Sequence, residues 1–215
     1  MSLTKYTIAT LCGYTLIFFS PIIAIPLNLT AQQSITLTAG SYFLGAGLLL
    51  FFNNRLKEVP PIEKKSGNFP ISKVILWGLL GIPLAFFAQT FANLLEQLLF
   101  HTVPESENTQ NIVELIKTAP IFMIAVSIAG PIMEEFVFRK AITGFLSKYI
   151  SSLLAGITSS FLFALAHADG HILVYFAMGM TFYYLYQKTG SIWTSIVTHC
   201  CMNGLVMLLQ LSILQ

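Results

Sequence analysis

Between Tyr6 and Asn54 the chain has no Asp, Glu, Lys or Arg. Comparable uncharged runs recur at Val74 to Leu95, Thr118 to Met133, Tyr149 to Ala168, Ile172 to Gln187 and, apart from His199, Thr189 to Gln215. A hydrocarbon layer offers backbone N–H and C=O groups no partner, so a spanning segment must satisfy them internally as a helix or within a closed barrel. A barrel strand needs only about 10 alternating residues. These runs are longer and do not alternate, whereas a helix crosses with about 20 residues. The pattern predicts an all-α fold, a polytopic transmembrane helical bundle of about seven helices (range about six to eight). The expected helices lie near Tyr6–Leu27, Thr36–Phe52, Val74–Leu99, Thr118–Lys148, Ser151–Ala168, Ile172–Tyr186 and Ser191–Ile213.

Composition agrees, with 9% charged and 55% hydrophobic residues in 215, against roughly 25% charged in soluble domains. An integral, multi-pass membrane protein is expected, with the lipid bilayer as a partner and no nucleic acid. The apolar run after Lys5 is longer than a typical signal-peptide core and has no clear cleavage site after it, so it reads as a retained helix. Arg55, Lys57, Lys64, Lys65 and Lys73 crowd one loop against Glu58 and Glu63, which places that loop, and the N-terminus with it, on the cytoplasmic side. Glu105, Glu107 and Glu114 against Lys117 suit the opposite face. Cys12, Cys200 and Cys201 all fall in apolar segments without paired spacing and read as packing residues. The chain divides into N-terminal helices over 1–111, interrupted by the Pro-containing basic loop near 53–73, and a helical bundle over 112–215 that carries the remaining polar signals. No internal repeat is visible, and the oligomeric state is not encoded in any of these features.

Those polar signals begin with Glu134, Glu135 and Arg139. An ionisable side chain near the bilayer centre costs on the order of 2.5–3.5 kcal/mol even on lenient scales, so such groups need a use or a partner. Glu135 and Arg139 stand four residues apart with the acid first, an arrangement that pairs them on one helix face. Glu134 points about 100° away and is left free for a polar cavity. The plainer account is an interfacial charge cluster at the end of a span. On the next helix, Phe163 precedes His167 by one turn, so ring and imidazole share a face. If the intervening turn lies near Lys148 to Ser151, an antiparallel hairpin sets Glu134 and His167 at nearly the same depth. On the last helix His199 and Asn203 again share a face, with Ser195 a turn earlier; an interhelical hydrogen bond would alone account for Asn203.

A carboxylate and a histidine together can deprotonate a water, and a second histidine with an amide N–H can stabilise the oxyanion formed when that water attacks a peptide carbonyl. The inventory matches peptide hydrolysis. EEFVFR at Glu134–Arg139, FALAH at Phe163–His167 and HCCMN at His199–Asn203 resemble, in order, the EExxxR, FxxxH and HxxxN signature of the CAAX protease and bacteriocin-processing family (CPBP, also Abi), which includes Ras-converting CAAX endopeptidases. The likeness covers roughly Ile112 to Ile213, and TGSIWTSI at Thr189–Ile196 also looks like bacterial members. The resemblance implies an intramembrane endopeptidase acting on a peptide or membrane-protein substrate without a cofactor. It implies that Glu134 and His167 activate the water, that His199 and Asn203 form the oxyanion side, and that Glu135, Arg139 and Phe163 support them. The interval from His167 to His199 is short, and no residue identifies a prenylated substrate.

Three other readings compete. Glu134, His167 and His199 are a set that zinc accepts, although no HExxH pair is present and Arg139 opposes a cation. Intramembrane Glu, His and Arg also build proton relays in proton-coupled transporters, but the repeats and broken-helix pairs of transporters are missing. A non-catalytic bacteriocin self-immunity protein would keep the fold, yet would not need the full polar set.

Overall fold

The structure, a computed structural model, describes residues 1–64, 69–102 and 106–213, so Lys65 and Glu105 of the charge argument lie outside the described residues. Among the described residues every regular element is helical. Helix α1 (Leu3–Phe18) starts where the Ser2 side chain accepts the Lys5 N–H. It is followed by single turns at Ser20–Ala24 and Ile25–Leu27, each containing a proline, so the expected unbroken helix to Leu27 is segmented. Helix α2 (Ala31–Arg55) begins earlier than Thr36 because Thr30 and Gln33 form a capping box that satisfies two otherwise orphaned N–H groups. Helix α3 (Ile71–Phe100) contains Pro83 and stops at His101, which takes a left-handed conformation with φ 56°.

Helix α4 (Glu107–Thr118) lies where the sequence reading had only a loop. Ser106 caps it, and Val113 and Ile116 bury its apolar side. Helix α5 runs through Ile121–Leu146, with π-helical stretches at Ala125–Ala129 and Glu135–Thr143. After a turn at Ser147–Ser151 come α6 (Ser152–His167), α7 (Ile172–Thr189) and α8 (Ile192–Ile213). The expected hairpin turn therefore falls in its place.

Five helical stretches, Leu3–Leu27, Ala31–Arg55, Ile71–Phe100, Ile121–Leu146 and Ile192–Ser212, are long and apolar enough to cross a membrane, and α6 is a shorter apolar helix. Helix α7, also expected as a span, is outside this set. Tyr175, Tyr183, Tyr184, Tyr186, Gln187 and Lys188 dilute its apolarity, and Tyr175, Tyr183 and Tyr186 are buried in a bundle where it packs on α3, α6 and α8. The protein is an integral membrane protein built as an all-α polytopic bundle.

Small residues bring the central helices together. A Cβ on Gly81 of α3 would stand 2.3 Å from Thr198 Oγ1, and one on Gly179 of α7 would stand 2.9 Å from Ser160 Cβ of α6. Thr198 Oγ1 donates to the Gly78 carbonyl at 2.7 Å. Close backbone approach of this kind stands in for the hydrophobic drive that lipid does not provide, and it fixes α8, with His199 next to Thr198, against α3. At the other end, Glu58 accepts the Leu3 N–H at 2.8 Å and pairs with Lys148 at 2.5 Å. Glu63 pairs with Lys140 at 3.0 Å and accepts the Tyr186 hydroxyl at 2.7 Å. The N-terminus, the 53–64 loop and the α5–α6 turn thus share one end of the bundle.

Candidate active site

Glu135 is fully buried, as the cost of an intramembrane charge demands, and it has cationic or proton-bearing neighbours on both sides. Its Oε2 lies 3.5 Å from Arg139 Nε, and its Oε1 accepts from His199 Nδ1 at 2.9 Å. The first contact is the pair expected from the four-residue spacing; it survives in a π-helical stretch. The second was not expected, and it ties α5 to α8. Arg139, 1% exposed, donates from Nη2 to the Gly179 carbonyl at 3.2 Å. Its guanidinium lies over Phe163 at 4.5 Å and Phe182 at 5.3 Å. Phe182 in turn stacks on His199 at 4.4 Å, so cation, rings and imidazole form one layer. Phe163 also stands edge-on to His167 at 4.5 Å.

Glu134, at the adjacent position, faces elsewhere. Its side chain is 22% exposed and its Oε2 lies 3.6 Å from His199 Nε2. With His167, Asn203, Asn108, Tyr14 and Tyr42 it lines a cavity of about 310 Å³. A second cavity of about 110 Å³ is lined by His167, His199 and Asn203 together with Gln89, Asn93 and Asn108. Antiparallel pairing of α5 and α6 therefore brings Glu134 and His167 to one cavity, while the imidazole closest to Glu134 is that of His199. Asn203 and His167 belong to both walls.

The hydrogen bonds assign tautomers. A carbonyl only accepts, so the 2.8 Å contact of His167 Nδ1 with the Phe163 carbonyl puts a proton on Nδ1 and leaves the Nε2 lone pair of the neutral ring for other work. By the same reasoning His199 carries a proton on Nδ1, held by the Glu135 carboxylate. The tyrosine ring of Tyr175 stacks on His167 at 3.8 Å, 21° from parallel.

Sequence reading missed the wall contributed by α3. Gln89 and Asn93, one turn apart, line the smaller cavity. Glu96, 2% exposed, receives His171 Nδ1 at 2.8 Å. The i, i+4 argument used for His199 and Asn203 applies equally to Gln89 and Asn93, and Glu96 is an intramembrane acid like Glu134; the signal was present in an otherwise apolar run. The zinc alternative requires Glu134, His167 and His199 to converge. Among the described residues no three His, Cys, Asp or Glu side chains are grouped closely enough to hold one ion. Cys12, Cys200 and Cys201 are free thiols.

Fold and site together define a polytopic membrane protein in which an acid, two imidazoles and an amide face shared cavities within a helical bundle. A family model described as type II CAAX prenyl endopeptidase Rce1-like matches residues 116–205, an interval that contains all three motifs. Over 158 residues the chain is 42% identical to a candidate membrane peptidase, YdiL, of Bacillus subtilis (strain 168), covering 73% of this chain and 65% of that protein. Over 177 residues it is 32% identical to the membrane-embedded CAAX protease MroQ of Staphylococcus aureus (strain USA300), covering 79% of this chain and 71% of that one. The chain belongs to this Rce1-like family of CAAX-type membrane endopeptidases. It spans 65% of the length of YdiL, just under two thirds. Both alignments are longer than segment 112–215, so the likeness reaches back into the helices before it. No solved structure matches the chain.

Proposed function

We propose that this protein is an intramembrane endopeptidase of a bacterial plasma membrane that hydrolyses a peptide bond in a membrane-associated peptide or protein. The observation that carries the proposal is the lining of one cavity by Glu134, His167 and Asn203, with His199 reaching Glu134 from the adjoining wall. Family membership supports hydrolysis as the chemistry, and the names of the two relatives, a candidate membrane peptidase and a CAAX protease, agree with it.

In this mechanism a water in the cavity gives its proton to Glu134 or to the Nε2 lone pair of His167 as its oxygen attacks the scissile carbonyl. Asn203 donates from its amide to the developing oxyanion, and His199 donates from Nε2 when its ring is protonated. The charge of Glu135, together with that of Glu134 where His167 is the proton acceptor, offsets that of the ring. The proton taken from water then passes to the departing amine. Glu135 and Arg139 hold His199 and α5 in place and do not touch the substrate. No step requires a metal.

Cells carrying wild-type or Glu134→Ala protein, compared by mass spectrometry of their membrane and secreted peptides, test the reading. Specific peptides are expected to be released only with the wild type, and purified protein should cut synthetic versions of them after exhaustive chelation. Identical peptide profiles in the two strains reject hydrolysis, and loss of cleavage that is restored by stoichiometric zinc rejects the metal-free mechanism. Asn203→Ala is expected to lower turnover roughly 100-fold, the usual cost of losing one oxyanion donor.

A further inference from the structure

His167 is the last residue of α6. The chain leaves it through Ala168 in a left-handed conformation, φ 51°, so no following helical turn confines the imidazole. The ring is instead confined from outside. The Phe163 ring meets it edge-on and the Phe163 carbonyl accepts a hydrogen bond from Nδ1–H, while Tyr175 covers one face at 3.8 Å.

Tyr175 is itself anchored. Its hydroxyl donates to Asp169 Oδ2 at 2.9 Å, and Ser106 at the start of α4 donates to the same oxygen at 2.7 Å. Asp169 Oδ1 accepts the His171 N–H at 3.2 Å. Glu96 of α3 holds the His171 ring and also accepts the N–H groups of Leu173 and Val174. Two carboxylates thus satisfy donors at the N-terminal turn of α7, where negative charge also meets the positive end of the helix dipole. Anchoring that turn to α3, α4 and α6 sets where Tyr175 stands one turn later, and therefore where Nε2 of His167 points.

We propose that Tyr175 is a positioning residue for His167, held in register by Asp169 and Glu96. This rests on the reading of His167 as a base. Tyr175 acts through the face of its ring, and its hydroxyl fixes the ring to Asp169. Misplacing a reacting group by about 1 Å costs on the order of 100-fold in rate. Tyr175→Leu is accordingly expected to lower kcat roughly 10- to 100-fold with KM nearly unchanged. Tyr175→Phe, which keeps the ring, should fall only a few-fold, within the span that the loss of one hydrogen bond allows.

The test has two arms. In the first, the full-length protein in detergent micelles is labelled with ¹⁵N-histidine, which gives only four histidines to resolve. The wild type should show the His167 ring protons shifted upfield by the stacked tyrosine and Nδ1 as the protonated nitrogen. Tyr175→Phe should retain both signatures, and Tyr175→Leu should lose the shift and mix the tautomers. In the second arm, kcat and KM are measured on a synthetic peptide spanning a site whose cleavage in cells depends on Glu134, and far-ultraviolet circular dichroism confirms that each variant is folded.

A tautomer unchanged by Tyr175→Leu, or a rise in KM with kcat intact, overturns the inference; the latter would make Tyr175 a substrate contact. If His167→Ala retains full turnover, the base assignment itself fails. If His167→Ala is inactive while Tyr175→Leu matches the wild type, the positioning role alone fails.

Discussion

Glutamine substitution separates the adjacent glutamates physically. Glu135→Gln keeps the side-chain shape and an oxygen for the His199 Nδ1 proton, but it removes the charge facing Arg139. That guanidinium is 1% exposed and cannot recover water. Leaving one partner of a buried pair uncompensated costs about 3–5 kcal/mol. Two features argue for the lower end. The Nε–Oε2 separation of 3.5 Å is an ion pair without a tight hydrogen bond. Arg139 also keeps the Gly179 carbonyl and the faces of Phe163 and Phe182, each ring contact being worth about 0.5–2 kcal/mol. The expected loss is therefore about 3 kcal/mol. Glu134→Gln, at a partly exposed side chain whose ionic neighbour is 3.6 Å away, removes an intramembrane charge without stranding a fully buried counter-ion, so it should not destabilise the fold by more than about 0.5 kcal/mol, while reducing cleavage roughly 100- to 10,000-fold.

Equilibrium unfolding by SDS titration of mixed micelles reads both numbers. The signal is the fluorescence of Trp77 and Trp193, the latter packed edge-on against Phe136 beside Glu135. Combining Glu135→Gln with Arg139→Met removes both ions, and it should recover stability to within about 1 kcal/mol of the wild type, since deleting a whole buried pair is close to neutral. A Glu135→Gln protein as stable as the wild type, or a double variant less stable than the single, would refute the assignment of Glu135 as the buried counter-ion.

Gly81→Ala should cost about 1–3 kcal/mol, because its Cβ would meet Thr198 Oγ1 at 2.3 Å and Leu185 at 2.5 Å; the same SDS titration measures it, and displacement of His199 should lower turnover in parallel. The Lys148 hydrogen bond, with a second from the Leu3 N–H, holds the Glu58 carboxyl below the usual carboxylate range. A lowered folded-state value contributes stability above the unfolded value and loses it as pH falls through the folded one. Acid titration of wild type and Lys148→Met should therefore differ at neutral pH and converge as the pH drops below that range. Phe182→Leu, which removes the ring stacked on His199 and beneath Arg139, should lower turnover more than Phe86→Leu, at a partly buried ring of α3 packed against the same core, and steady-state kinetics on the same synthetic peptide compares them.

Much of this arrangement is legible in the sequence because membrane burial makes each polar residue conspicuous. The pairing of Glu135 with Arg139, the turn between α5 and α6, and the expectation of one depth for Glu134 and His167 follow from helical spacing alone. What spacing cannot supply is the relation between helices distant in the chain. Nothing in α5 or α8 alone places His199 Nδ1 on Glu135; that contact depends on how deeply α8 sits against α3, which Gly78, Gly81 and Thr198 decide. The amphipathic α4 was hidden because its cap, Ser106, stands in a polar stretch that reads as a loop when only apolar run length is counted.

His199 joins the two glutamates and shows why adjacent carboxylates can have separate tasks. One face of α5 places Glu135 against Arg139 and His199, where its charge serves packing. The neighbouring direction places Glu134 at a cavity, where its charge stays available. The histidine contacts the first through Nδ1 and faces the second through Nε2, so movement of a proton at Glu134 is felt at a ring whose other nitrogen is pinned. A ring pinned at Nδ1 can respond only at Nε2, the nitrogen that an oxyanion beside Asn203 would meet. Replacing the carboxylate by a neutral amide acceptor in Glu135→Gln should therefore impair turnover even in the double variant that restores stability, and that residual defect separates the state of His199, its orientation and charge together, from the integrity of the fold.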